Sequence, residues 1–340
     1  MKYSAILDSS IFIKGHIATA GSKMLGNFIA PFDAAVVERL NAADVRIVGQ
    51  IESSEFGVGG LFCETDDAGG FDDVCESDEV GGFDETGNAI RLIAADEADF
   101  ALFNDYTGTV SRAAAANGLY YLHPTYGTVS RYGLIPAVTS MDQIGVLCKS
   151  PEVGFAALGI IAGYDSRDGV MLPDKASAND VQRPSLSFEV DVIALETDYS
   201  KVYSQVMQIL CSAELSNNIS RYDGIKYGYR AKEYNGLNEL YLRSRTEAFG
   251  FDVKLAAILG AMVLSQENYV RYYDKAMRLR RLIKDSFDFH MYDVIVTKCP
   301  FLSRLCGLPS LTTSTYVYIA NTGCENVLAA VSKTVKGEKL

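Results

Sequence analysis

The side chains best suited to hold a metal ion are few and badly spaced. His16, His123 and His290 are the only histidines, and none has a cysteine, histidine or carboxylate at ligand spacing. Zinc or non-haem iron needs three or four such donors converging on one point, so no metal and no cofactor is expected. Seven cysteines (Cys63, Cys75, Cys148, Cys211, Cys299, Cys306, Cys324) are scattered without a CxxC pair. An odd count at irregular spacing argues against a disulfide framework and for a reducing intracellular compartment, cytoplasmic or mitochondrial matrix. Carboxylates do cluster. Residues 64–88 hold Glu64, Asp66, Asp67, Asp72, Asp73, Glu76, Asp78, Glu79, Asp84 and Glu85 with no Lys or Arg, and the pattern Gly69-Gly70-Phe71-Asp72-Asp73 returns as Gly81-Gly82-Phe83-Asp84-Glu85. Calcium wants six to eight oxygens in a defined turn, and this spacing does not supply one. The stretch predicts an exposed acidic loop insertion, solvated or used as a docking tail for a basic partner. Positive charge gathers instead at residues 272–284, in Lys275, Arg278, Arg280, Arg281 and Lys284. At helical spacing these read as a solvated helix face. The formal net charge of −12 opposes a phosphate backbone, so direct nucleic-acid binding is not expected.

The elements that would position any site follow from periodicity. A chain of 340 residues, 48% hydrophobic and 22% charged, can build one large core. It has no run of about 18 uncharged apolar residues, so no membrane span is expected. Residues 1–8 read as a first strand rather than a signal peptide. Asp33 is placed to cap a helix over residues 34–40, and residues 45–49 form a short buried strand. Residues 101–103 and 119–122 predict further strands, with a helical turn at 113–116 between them. Ser150-Pro151-Glu152 starts a helix, with Ser as cap, Pro at the first position and an acid near the positive end of the dipole. Residues 165–185, polar and interrupted by Pro173 and Pro184, read as a linker-like stretch. Residues 187–192 alternate as a half-buried strand. Helical patterns follow at 199–220, 237–248, 251–265 and 266–286, then a strand at 292–297. Strands interleaved with helices predict an α/β sheet with helices on both faces.

Several blocks are similar to one known family. They include Ser22-Lys23-Met24-Leu25-Gly26-Asn27-Phe28, His123-Pro124-Thr125-Tyr126-Gly127-Thr128-Val129-Ser130-Arg131-Tyr132-Gly133 continuing to Ser140-Met141-Asp142-Gln143-Ile144-Gly145, and Ile161-Ala162-Gly163-Tyr164-Asp165-Ser166-Arg167-Asp168. A last block runs Ala213-Glu214-Leu215-Ser216-Asn217-Asn218, then Arg221-Tyr222-Asp223-Gly224-Ile225-Lys226-Tyr227-Gly228-Tyr229-Arg230. The chain resembles the amidase signature family, nearest the A subunit of the aspartyl/glutamyl-tRNA(Asn/Gln) amidotransferase, over roughly residues 5–297. The resemblance implies one domain over 1–340 with a mixed, twisted sheet covered by helices on both faces. It also implies trimming at both ends relative to the family.

The resemblance implies a lysine, a relay serine in a Gly-Gly-Ser-Ser-Gly-Gly loop, and a nucleophilic serine. An alcohol attacks an amide near neutral pH only if a base takes its proton, which a neutral lysine relayed through the second serine can do. Backbone N–H groups in the glycine loop before the nucleophile hold the oxyanion. Carried over position by position, the lysine falls on Asp8, whose ordinary pKa near 4 makes it a weak base for an alcohol. The serine loop falls on residues 81–88, with Phe83, Asp84, Glu85 and Thr86 where the relay hydroxyl belongs. The nucleophile falls on Thr109, the oxyanion loop on Tyr106, Thr107 and Gly108, and a usual family arginine on Ser111. The basic pair that grips a substrate carboxylate appears as Leu255-Ala256, and the loop with an amine-binding Asp is missing around Lys298-Cys299-Pro300-Phe301.

No position of the triad or of the substrate clamp carries the family's residue. The sequence therefore points to a catalytically inactive pseudoamidase, leaning away from an enzyme, retained in a structural or regulatory role within a hetero-oligomer of other protein subunits. Two alternatives stand beside it. One is a divergent A subunit still acting in tRNA-dependent amidation with B/C-like subunits. The other is a recast hydrolase using Thr109 with Asp8 or Asp84 as helper.

Overall fold

Two strands whose every residue is buried mark the middle of the molecule: β3, Phe100–Asn104, and β5, Ile144–Cys148. Along β3 the side chains part between two cores, Phe100 and Leu102 on one face, Ala101 and Phe103 on the other. A strand with period two can be apolar throughout only if both sheet faces are covered. The computed structural model describes residues 3–62, 83–171, 192–194 and 200–335.

Around these two strands lie β1 (Ser4–Asp8), β2 (Arg46–Ile51), β4 (Tyr120–His123), β6 (Val192–Ala194), β7 (Val294–Thr297), β8 (Ser310–Thr312) and β9 (Val317–Ala320). They form one mixed sheet in the order β2-β1-β3-β5-β4-β8-β9-β7-β6. The pairs β1/β2, β1/β3 and β6/β7 are parallel and the others antiparallel. One face is covered by helices Ala35–Ala42, Pro151–Ile161 and Glu325–Val335, whose Val36, Leu158 and Leu328 join Leu7, Val146 and Leu311. The other is covered by Phe83–Ala94 and Thr109–Ala116 over β3 and β4. Beyond them, Ser200–Asn218, Phe251–Val263 and Lys275–Asp285 build the largest cluster with Leu302, Leu305 and Ile319. The first two of these cross closely at Gly260, where a Cβ would stand 2.1 Å from the Ser212 carbonyl oxygen; only glycine allows that approach.

Several local expectations need correction. The strand read as buried at 45–49 is the sheet edge β2, with Arg46, Val48 and Gly49 exposed, because only β1 pairs with it. Asp33 does not cap the following helix. Ala34 is the cap residue, and the Asp33 carboxylate accepts the N–H of Lys14 instead. Ser150 does precede Pro151 at a helix start, but its side chain makes no capping bond. The acidic stretch lies outside the described residues up to 82, and from Phe83 the backbone is helical to Ala94, not a loop. Residues 165–171, the head of the linker-like stretch, are tied down: Asp168 pairs with Arg131 at 2.9 Å and Asp165 with Arg167 at 2.9 Å. Residues 172–185 lie outside the described residues, as do 187–191 of the strand expected at 187–192.

Candidate functional site

β1 and β3 run parallel, so their C-terminal ends bring Asp8 and the turn after Asn104 to the same end of the sheet. The segment 53–60 lies against both. Its Ser53 hydroxyl donates to Asp8 Oδ1 at 3.1 Å, and its Gly59 carbonyl accepts the Thr109 hydroxyl at 2.7 Å.

Asp8 is 1% exposed. Oδ2 accepts the Ser10 hydroxyl at 2.7 Å, so each carboxylate oxygen takes one hydroxyl. Asp8, Ser10, Ser53 and Asn104 line a small cavity closed by Phe56, Ile135 and Ala137. No cation reaches Asp8 among the described residues. Burial raises its pKa above the usual carboxylate range, and the two hydroxyls with the backbone of Ser10 and Asn104 only partly oppose this. A carboxylate held this way stores a proton more readily than a surface one, but it cannot present the amine that the lysine position implies.

The turn from β3 into Thr109–Ala116 is fixed by glycine and by Asp105. Gly108 sits at φ +79°, and a Cβ there would also press on Pro300 and on the Phe301 backbone N at 3.2 Å. Asp105 caps the helix: its carboxylate accepts the N–H groups of Val110 and Ser111, each at 3.0 Å. Tyr106 turns inward, fully buried, with its hydroxyl donating to the Phe56 carbonyl at 2.9 Å, and burial pushes its phenol far up. The Thr107 and Thr109 hydroxyls lie 2.8 Å apart. Since Thr109 donates to Gly59, the Thr107 proton is shared between Thr109 and the Gly57 carbonyl, 3.4 Å away. The hydroxyl chain thus runs Thr107 to Thr109 to a peptide carbonyl, which is not a base.

Among the described residues no lysine amine hydrogen-bonds Asp8, Thr107 or Thr109. The Lys23 amine donates to the Glu247 carbonyl and the Lys149 amine pairs with Asp96. The side chains of residues 83–86, where the relay serine was placed, lie outside the described residues. Leu255 and Ala256 sit in Phe251–Val263, Ala256 fully buried and Leu255 partly so. The structure therefore brings Asp8, Thr107 and Thr109 to one sheet end, held by one segment, with Asp8 and Thr107 lining different cavities.

One charged group here went unread in the sequence. Arg304, 1% exposed, donates from Nη2 to Asp105 Oδ2 at 3.0 Å and to the Ser111 hydroxyl at 3.0 Å. Its Nε donates to the Asp105 carbonyl at 2.7 Å, and its Nη1 to the Pro300 carbonyl. Ser111 stands where the resemblance places an arginine, and a guanidinium from a distant helix, Phe301–Cys306, reaches its hydroxyl. The signal was present: an arginine inside Phe301-Leu302-Ser303-Arg304-Leu305-Cys306 is a charge in an apolar run, which requires a buried counter-charge. Nearby, His123 is buried with Nδ1 unpartnered, and burial with the Arg304 charge keeps the imidazole neutral.

The comparisons with known proteins agree with this architecture. A family model described as Amidase matches residues 6–190 and 186–322. The A subunit of glutamyl-tRNA(Gln) amidotransferase from Lachnoclostridium phytofermentans is 36% identical over 325 residues, covering 85% of this chain and 65% of the relative. The protein of the same name from Caldanaerobacter subterraneus is 35% identical, covering 86% of this chain and 66% of the relative. The chain thus spans about two thirds of the length of these curated relatives. Among solved structures, the peptide amidase of Stenotrophomonas maltophilia aligns with TM-score 0.72 at 20% identity, over 97% of this chain and 81% of that one. The glutamyl-tRNA(Gln) amidotransferase A subunit of Thermotoga maritima aligns with TM-score 0.63 at 20% identity, over 98% and 82%. At such identities the structures speak for the fold alone. With a sheet covered on both faces, a glycine turn after β3 and these matches over most of its length, the chain belongs to the amidase family.

Proposed function

We propose that this chain is a pseudoamidase, a family member that no longer hydrolyses amides and serves as a structural or regulatory subunit of a larger protein assembly. One observation carries the reading: the Thr109 hydroxyl gives its proton to the Gly59 carbonyl and is backed, among the described residues, only by Thr107. Among the described residues an alcohol so placed has no basic acceptor for the proton it must lose in attacking a carbonyl carbon. Among the described residues no hydrogen bond joins Asp8 to Thr107 or Thr109, so Asp8 does not supply one. Loss of a nucleophile–base unit costs on the order of 10⁶ in kcat. The buried free thiols of Cys148, Cys211, Cys299 and Cys306 suit a reducing compartment. The test is ammonia release from glutamine and from simple primary amides by the wild type and by Thr109→Ala. Both should stay at the uncatalysed rate. Release that depends on Thr109 overturns the reading.

A second reading is favoured by the block 213–230 and by what the relatives are called: a divergent A subunit still acting in tRNA-dependent amidation. The block is built into the core, with Tyr222 stacked on Phe56 at 5.5 Å and Asn218 donating to the Ala137 carbonyl. A glutaminase assay with B and C subunits present distinguishes the two, because only this second reading expects glutamine-dependent amidation. The third reading, hydrolysis through Thr109, predicts covalent labelling by an activated phosphonate that Thr109→Ala abolishes.

A further inference from the structure

The basic stretch 272–284 does not behave as a uniform solvated face. Arg278 pairs with Asp274 at 2.9 Å and Arg281 with Asp285 at 2.7 Å. Arg280 turns inward, donating to the Leu305 carbonyl and to Ser140. Lys275, together with Arg271 one turn earlier, has no carboxylate partner among the described residues. Both line a groove of about 500 Å³ between Ser200–Asn218, Phe251–Val263 and Lys275–Asp285. Its walls include Val206, Leu259 and Leu279, and Met262, 42% exposed, forms part of its lip. Outside it, Ile258 and Val270 are 70% and 71% exposed, so apolar surface runs on beyond the groove. A π-helical turn, Val270–Asp274, adds a residue to the helical path at the point where Arg271 and Tyr272 reach the rim.

We propose that this groove docks an acidic amphipathic helix of a partner protein. The apolar walls take the occupant's apolar stripe, and Arg271 and Lys275 take carboxylates beside that stripe. Charge selects this occupant: two cations with no carboxylate partner among the described residues border an apolar groove. A second copy related by a two-fold axis would bring the same cations against each other, which costs free energy. The proposal rests on the reading of the chain as one member of an assembly, and it specifies the face used.

The experiment uses the full chain and a fluorescein-labelled peptide of about 20 residues, the length of a five-turn helix, with leucines at helical spacing and glutamates elsewhere. A second peptide carries lysine in place of glutamate. Anisotropy should show the acidic peptide binding, more weakly at high salt, and the lysine peptide not binding. Arg271→Glu with Lys275→Glu should weaken binding at least about tenfold, as should Met262→Asp at the groove lip. Arg278→Glu, on the same helix but already paired, should leave affinity within about twofold. Circular dichroism and Tm show that each variant is folded. The proposal is overturned if the two peptides bind alike, if the double variant binds like the wild type, or if only laurate, a small apolar carboxylate, occupies the groove. It is also overturned if Met262→Asp abolishes a dimer of the chain itself rather than peptide binding. Partners that co-purify equally with wild type and double variant would sink the groove while leaving the assembly reading intact. A monomer that still binds the acidic peptide would do the reverse.

Discussion

Two carboxylates lie buried at the same end of the sheet, and the chain treats them differently. Asp105 is 2% exposed and meets a guanidinium, Arg304, plus two backbone N–H groups of the helix it caps. Asp8 is 1% exposed and meets two serine hydroxyls with no cation among the described residues. A buried ion is tolerable when an opposite charge and several donors replace its water, and removing one partner then leaves the other stranded. A buried carboxylate with neutral donors alone has a second route, which is to take up a proton. The first arrangement is a rigid fixture of the turn that bears Thr109. The second is a charge reversal in the place the family resemblance gives to lysine, and it is where the proposed loss of amidase chemistry begins.

The contrast predicts a ranking. The largest effect belongs to Arg304→Met, which strands the Asp105 carboxylate in the core. It should cost about 3–5 kcal/mol in urea unfolding, the scale of breaking a buried ion pair. A loss under about 1 kcal/mol would mean that the two buried carboxylates are equivalent after all. Next comes Asp8→Asn. Because burial raises the native pKa of Asp8 above the unfolded value near 3.8, its protonated form favours the native state. That contribution is whole below the unfolded pKa and is lost as pH rises through the raised native one. The substituted amide stays neutral at every pH, so the variant should gain on the wild type, by on the order of 1 kcal/mol, as pH climbs from acid to neutral. A pH-independent difference between the two would remove the distinction drawn for Asp8.

Thr109→Ala should cost about 1 kcal/mol, since the Gly59 carbonyl loses its donor. Its rate of amide hydrolysis should match the wild type. The smallest effect is expected outside the sheet end, at Arg167, which pairs with Asp165 and Glu38 but is 38% exposed. Arg167→Ala should cost less than about 1 kcal/mol, and less still at high salt. The Arg167 guanidinium holds Asp165 down at a pKa of about 2, so what it contributes is present above the unfolded value and fades as pH falls from near 3.8 through about 2. Acid titrations of wild type and Arg167→Ala should diverge only above that window.

Much of the framework was legible because it follows from local pattern. The strand readings at 101–103 and 119–122 and the Ser150-Pro151-Glu152 start all correspond to elements. What escaped depends on placement in three dimensions. Residues 45–49 look like a core strand, and only the sheet order makes them an edge. Acidic residues 84 and 85 read as solvated loop, yet carboxylates are also favourable in a helix's first turn, where the structure puts them. At the site, family resemblance pointed to Asp8 and Thr109, whereas Arg304 could not be matched to Asp105, 199 residues away in sequence, until the sheet was closed.

The sheet order has a consequence for synthesis of the chain. β4 is flanked by β5, which follows it directly, and by β8, which is translated far later. The Thr125 N–H just past β4 is accepted by Glu325, 200 residues downstream. Until the ribosome has delivered β8 and β9, the nascent chain carries an unpaired, apolar strand edge in its centre, open to mispairing with neighbouring nascent chains. Contacts so distant along the chain also form slowly, so folding of this protein should be the step most dependent on chaperones and on growth temperature.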